Sequence, residues 1–194
     1  MDRIRAGIAL YNAGHYLAAH EPLEERWLQR PAGDREDCLQ GVIQATAAVY
    51  KSRAGNPDGA TGLAESAVGY LDDCGRIDAE PLSAWLDRLA DDPELGACER
   101  PPELRIDGET VTVDGLRFPA AGIAARALAA VRDDETLAAA VEYAEADLAA
   151  GEGTSPFVTL TLDYVRGGDP LVAQRLKEHV ERRRTRESDV EGLF

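Results

Sequence analysis

Glycine and proline punctuation is the feature that most limits what this chain can fold into. Between the breaks, apolar residues recur at helical spacing, so the chain reads as a series of short amphipathic helices. Residues 3–13 place Ile4, Ile8 and Tyr11 on one stripe, and Gly14 offers a left-handed stop. A second helix is expected from Tyr16 to Leu28, with Pro22 inside it. An interior proline removes a hydrogen bond at a cost of about 3 kcal/mol, so this helix is expected to start late or to kink. Residues 36–54 form the clearest helix, with Leu39, Ile43, Thr46 and Tyr50 on one face and Gly55 as its stop. Asn56-Pro57 reads as a turn, and Asp58 as the cap of a helix reaching about residue 73. A fifth helix, 79–89, completes an all-helical N-terminal part, and prolines 93, 101 and 102 mark a linker.

The character changes at LRIDGETVTVDGLRF. Alternation around Val111 and Val113, with Asp114-Gly115, is a hairpin signal, and Asp107-Gly108 offers a second tight turn. A two- or three-stranded ribbon of this size is unstable alone and must lean on helices. Those are expected at 120–131, 135–149, 157–165 after Ser155-Pro156, and 171–184 after Asp169-Pro170; a capping residue followed by proline marks a helix start. Leu193-Phe194 is expected to fray or to dock in a groove. The expected architecture is mainly α: a compact multi-helix domain over 1–92, a linker over 93–103, and a small β-hairpin plus helices over 104–194.

The formal net charge is −15, with 36 acidic and 21 basic side chains. It is divided almost evenly, −8 before residue 101 and −7 after, so it belongs to the whole surface. Nucleic acid and anionic membranes are excluded as partners, because both require a basic footprint. That even spread suggests a protein bathed in concentrated salt, where counterions screen self-repulsion; the alternative is an ordinary acidic protein of a GC-rich genome, which would also favour Arg (19) over Lys (2). There is no apolar run of about 18 residues and no hydrophobic leader, which leads to an expectation of cytoplasmic residence. Cys38, Cys74 and Cys98 are odd in number and lack C-x-x-C spacing, so they are expected to be reduced thiols without a disulfide frame.

Chemistry concentrates in His20-Glu21-Pro22-Leu23-Glu24-Glu25-Arg26-Trp27. On a helix His20, Glu24 and Trp27 share a face, with Glu21 at its margin. An imidazole and one or two carboxylates suit a divalent transition metal. The string departs from the zincin H-E-x-x-H motif, because Glu24 stands where the second His belongs, and no Glu-x-x-His copy exists for a di-metal centre. The competing expectation is a self-satisfied polar network that needs no cofactor. On the third helix, Gln40, Gln44 and Lys51 form a polar stripe, and Gly41 would let another helix approach; if that helix carries His20, the amides of Gln40 and Gln44 would meet the carboxylates. GNPDGATG lacks the Lys-Ser/Thr of a phosphate loop and reads as a helix stop plus a packing glycine. Arg182-Arg183-Arg184-Thr185-Arg186 is ringed by Glu178, Glu181, Glu187 and Asp189, which reads as a solvated helix end or an acidic-partner contact. His15 and His179 read as surface or capping residues.

These strings carry a resemblance. Tyr11 to Trp27, then Leu39-Gln-Gly-Val-Ile-Gln to Tyr50, then Gly55-Asn56 with Gly59-Ala60, resemble the domain of unknown function 309 family over about residues 7–72. The resemblance implies a compact helical domain, here in a haloarchaeal-type member with a C-terminal extension, and supplies no activity. Its characteristic polar positions fall on His20, Glu21, Glu24, Trp27, Gln40 and Gln44. Two functional expectations follow. One is a binding or assembly module, working through self-association or a protein partner, around a structural His/Glu/Gln/Trp network. The other is a pocket for a metal or small polar ligand, with Glu21 or Glu24 as general base of a hydrolase.

Overall fold

A computed structural model describes residues 1–32, 36–72, 74–152 and 154–191; Leu193 and Phe194 lie outside the described residues. The chain is mainly helical and divides into two compact units, Met1–Gly115 and Leu116–Phe194.

The first unit contains α1 (Asp2–Asn12), α2 (Tyr16–Leu28), α3 (Asp37–Arg53), α4 (Pro57–Val68), β1 (Ile77–Asp78), α5 (Glu80–Asp91), α6 (Leu95–Cys98), β2 (Arg105–Ile106) and β3 (Glu109–Thr110). Its core is built from Ile8, Leu10, Leu23, Leu39, Val42, Leu82 and Leu86, all buried. Helix α2 does not start late: it runs from Tyr16 to Leu28 with Pro22 buried in its interior. Nearby, α1 and α2 approach so closely that a Cβ on Gly7 would overlap the Leu23 side chain. Packing of that kind offsets the hydrogen bond that the proline removes.

Gly41 does allow a close approach, but by a different neighbour from the one expected. A Cβ there would lie 2.8 Å from Leu71 and 3.1 Å from Tyr70, just past the end of α4, not against α2. The Gly55–Gly59 string is explained by helix punctuation. Gly55 stops α3 at φ 71°, and Asn56, rather than Asp58, caps α4 by accepting from the Gly59 amide at 3.0 Å.

The ribbon has three strands in the order β1-β2-β3, all antiparallel. Its hairpin turns at Asp107-Gly108, not at Asp114-Gly115: Ile106 pairs with Glu109, and the two residues between have φ of 53° and 80°. Two successive positive φ values match the right-handed strand twist, which is why Asp-Gly suits this turn. The hairpin also belongs to the first unit. Its pairing to β1, Ile77 with Ile106, moves the boundary from the expected 93–103 linker to residue 115.

Among the described residues the second unit has four helices: α7 (Phe118–Arg132), α8 (Glu135–Ala149), α9 (Pro156–Arg166) and α10 (Pro170–Glu191). Asp133 ends α7 in the left-handed region, and Asp134 starts α8 by accepting from Leu137 N at 2.9 Å. The two cap-then-proline signals hold: Ser155 Oγ accepts from Phe157 N, and Asp169 Oδ1 from Leu171 N. Alanines 120, 121, 124, 125, 140 and 144 are buried, which allows helices to pack closely.

The thiol expectation is overturned. Cys38 and Cys74 form a disulfide across 36 residues, with Cα atoms 5.0 Å apart; Cys98 is free and exposed. Absence of C-x-x-C spacing excludes a local redox motif but is silent on pairs assembled by packing. No helix among the described residues is long and apolar enough to cross a membrane.

Candidate functional site

Helix α2 positions the residues singled out above, and its orientation decides what they can do. Ala18, Ala19, Pro22 and Leu23 are buried, so the opposite face turns to solvent. That face carries Leu17, Glu21, Glu24 and Leu28, spaced i, i+4, i+7 and i+11, which is one continuous stripe. Leu17 is 43% and Leu28 54% exposed. His20 and Trp27 flank the stripe, both half-buried.

His20 and Glu24 do come together: Nδ1 lies 3.7 Å from Oε2. Glu21 is exposed. The other acids nearby are engaged across elements. Glu25 accepts from Arg3 of α1 at 2.9 Å, and Glu36, at the N-cap of α3, lies 3.5 Å from Arg26 and 3.1 Å from Arg30. On α3, Gln40 and Gln44 are half-buried, and Gln44 Oε1 is buried without a hydrogen-bond partner among the described residues. Two groups are thus available to a metal from one helical turn. Among the described residues, no three His, Cys, Asp or Glu side chains gather in a way that would hold an ion.

Residues that sequence reasoning passed over form two buried polar nodes. In the first unit, Asn12 is 6% exposed at the end of α1. Its Nδ2 donates to the carbonyls of Leu104 and Val111 at 2.8 and 2.9 Å, and its Oδ1 accepts from Leu104 N at 2.8 Å. Beside it, Tyr11 Oη donates to Pro102 O, and the Arg100 guanidinium donates to Asn12 O. Burial raises the Tyr11 phenol well above its usual range, so it stays a donor. The signal was present as Tyr11-Asn12 within the quoted motif, but an asparagine at a helix end reads locally as a capping residue.

In the second unit, Asp147 is 3% exposed and accepts from Ser155 Oγ at 2.6 Å and Arg183 Nη1 at 3.3 Å. Arg183 also donates to Glu187 and lies over the Tyr143 ring, while Tyr143 Oη donates to Glu187. Asp147 and Arg183 line a cavity of about 940 Å³ with His179, Arg182 and Phe157. Burial, then the neighbouring Arg182, holds the His179 imidazole below its usual range. His179 meets Phe157 edge-on, so it is more embedded than a surface residue.

Residues 4–63 match the pattern of the family described as Domain of unknown function (DUF309), so the resemblance holds for that segment. The chain is also similar to an "Uncharacterized protein" of Aquifex aeolicus (strain VF5), with 28% identity over 99 residues. The match covers 49% of this chain and 29% of that relative, so the chain spans well under half of the relative's length.

Proposed function

We propose that the first unit is a binding module whose contact surface is the solvent face of α2. The observation that carries this reading is the outward stripe Leu17, Glu21, Glu24, Leu28, two exposed leucines bracketing two carboxylates. Leu17 and Leu28 are about 16 Å apart along the helix, a span that a partner helix can match. The partner that fits is a protein helix with apolar residues at that spacing and Arg or Lys between them. A second copy fits less well: antiparallel pairing of Leu17 with Leu28 would set Glu21 against Glu24 of the other chain, with like charges opposed. A match that occupies 29% of the relative also suits a module joined to other sequence there.

The test uses two synthetic helical peptides, each with leucines eleven residues apart, one carrying arginines and the other glutamates between them. The arginine peptide should bind with micromolar affinity, and the Leu17→Asp, Leu28→Asp variant should bind it at least about tenfold more weakly. Equal binding of both peptides, or of neither, overturns the reading. In molar salt the Debye length is about 3 Å, so Glu21 and Glu24 then act only at contact, and the leucines supply the affinity.

The alternative is a site for a metal or small polar ligand with Glu21 or Glu24 as base. It draws support from the orphaned acceptor Gln44 Oε1, which a donor on a ligand would satisfy. Cytoplasmic residence in a salt-rich archaeal cell belongs to the same proposal and rests on the even spread of the −15 charge. On that reading the melting temperature should rise steadily as KCl is increased from about 0.1 M to molar levels, because screening relieves self-repulsion. A melting temperature indifferent to KCl would count against it.

A further inference from the structure

The Cys38–Cys74 bond ties the first turn of α3 to the segment between α4 and β1. Both cysteines are half-buried, and both line a cavity of about 540 Å³. Ile4, Leu39 and Ile77 form part of its wall, and Glu36, Asp37 and Asp72 bring carboxylates to it. A disulfide sealed in a core is inert because no thiolate reaches it. This one borders a space large enough for a small thiol, and neither of its cysteines is shut off from solvent.

We infer that Cys38–Cys74 is a thiol–disulfide exchange site, opened in the folded protein by an uncharged or cationic thiol or by a dithiol reductant. Carboxylates lie beside both sulfurs, Glu36 and Asp37 near Cys38 and Asp72 near Cys74, but only Cys38, the second residue of α3, has a helix N-terminus to favour its thiolate, so Cys38 is the better leaving group. The incoming thiolate attacks Cys74 Sγ. A new S–S bond forms there as the Sγ–Sγ bond breaks, and the electron pair leaves on Cys38 Sγ, which takes a proton from water. A second reductant thiolate then attacks the reductant's sulfur in the mixed disulfide, releasing Cys74 as a thiol and leaving as oxidised reductant. Two thiols thereby deliver two electrons and two protons to the pair.

The surroundings select among thiols. Glu36, Asp37 and Asp72 repel an anionic reagent, and the Arg76 guanidinium on the same cavity is forked onto Asp107. Opening the bond also has a structural consequence. Leu71 is lodged against Gly41, and β1 begins at Ile77, so the covalent tie sits between two non-covalent attachments of this segment.

The experiment uses the full chain carrying Cys98→Ser, so that only this pair remains. Without denaturant, titratable thiols should rise from none to two on treatment with dithiothreitol and return to none with its oxidised form. Under pseudo-first-order conditions at low ionic strength, cysteamine should react about tenfold faster than mercaptoethanesulfonate, with mercaptoethanol between them, and molar KCl should compress the spread. Peptide mass mapping should place the trapped adduct on Cys74, and amide exchange of residues 71–78 should speed up on reduction and recover on reoxidation. Reduction that needs denaturant, rates indifferent to thiol charge, an adduct on Cys38, or thiols in fresh protein that do not close under oxidised dithiothreitol would each overturn the proposal.

Discussion

Replacing Asn12 by Ala should cost the first unit about 3–5 kcal/mol, because it strands three buried backbone groups at once. Leu104 N, Leu104 O and Val111 O all bond to this side chain, and each buried group left unsatisfied costs about 1–3 kcal/mol, with incomplete additivity. Urea unfolding should show the midpoint of the unit's transition falling by on the order of 2 M. Asn12→Asp provides the control for mechanism. It keeps an acceptor for Leu104 N but points carboxylate oxygen at two carbonyls, so it should be no more stable than the alanine variant. A loss below about 1 kcal/mol in either variant would mean that the segment 104–111 is held by other contacts.

The second large effect is expected at Asp147. This carboxylate accepts from the Ser155 hydroxyl, whose oxygen in turn accepts from Phe157 N at the start of α9, and it faces Arg183 of α10. Asp147→Ala therefore removes an acceptor that orients a helix cap and leaves a partly buried guanidinium with less compensation. About 3 kcal/mol is expected for breaking such a bond to a buried charge. Asp147→Asn keeps an acceptor for Ser155 and loses only the charge, so it should fall about midway. Thermal melts followed by circular dichroism would rank the three proteins, and an asparagine variant as damaged as the alanine one would show that charge, not the Ser155 bond, dominates.

Most helices were legible in the sequence. The apolar stripe from Ile4 to Tyr11, the long run 36–54, and the Ser155-Pro156 and Asp169-Pro170 starts all describe interactions within a few residues, and those the chain states directly. Pro22 shows the limit of the local rule. Its penalty is real, but burial of the helix against α1 outweighs it. Asp107-Gly108 was read as a possible turn, but its rank over Asp114-Gly115 was not. Both dipeptides tolerate positive φ, and the choice was made by Ile106 finding Ile77 across the ribbon.

The candidate site was legible in part. His20 and Glu24 come within 3.7 Å, as residues one turn apart on a helix must be able to do. Which way that turn faces was not readable, because Leu17 and Leu28 look like core residues in any periodicity count, yet both lie on the exposed face. Gly41 was rightly seen as a place of close approach, and only packing could say that Leu71 fills it.

The sequence by itself determined the helical class, the positions of most helix starts and stops and the net charge of −15, since capping, periodicity and charge are local or additive properties. Tertiary structure alone decided the Cys38–Cys74 bond, the Asn12 clamp on residues 104 and 111, the ribbon's place in the first unit and the outward turn of α2. Each joins groups far apart in the chain, or depends on which face another element covers. A 3.6-residue period states which residues share a face and leaves open what that face meets.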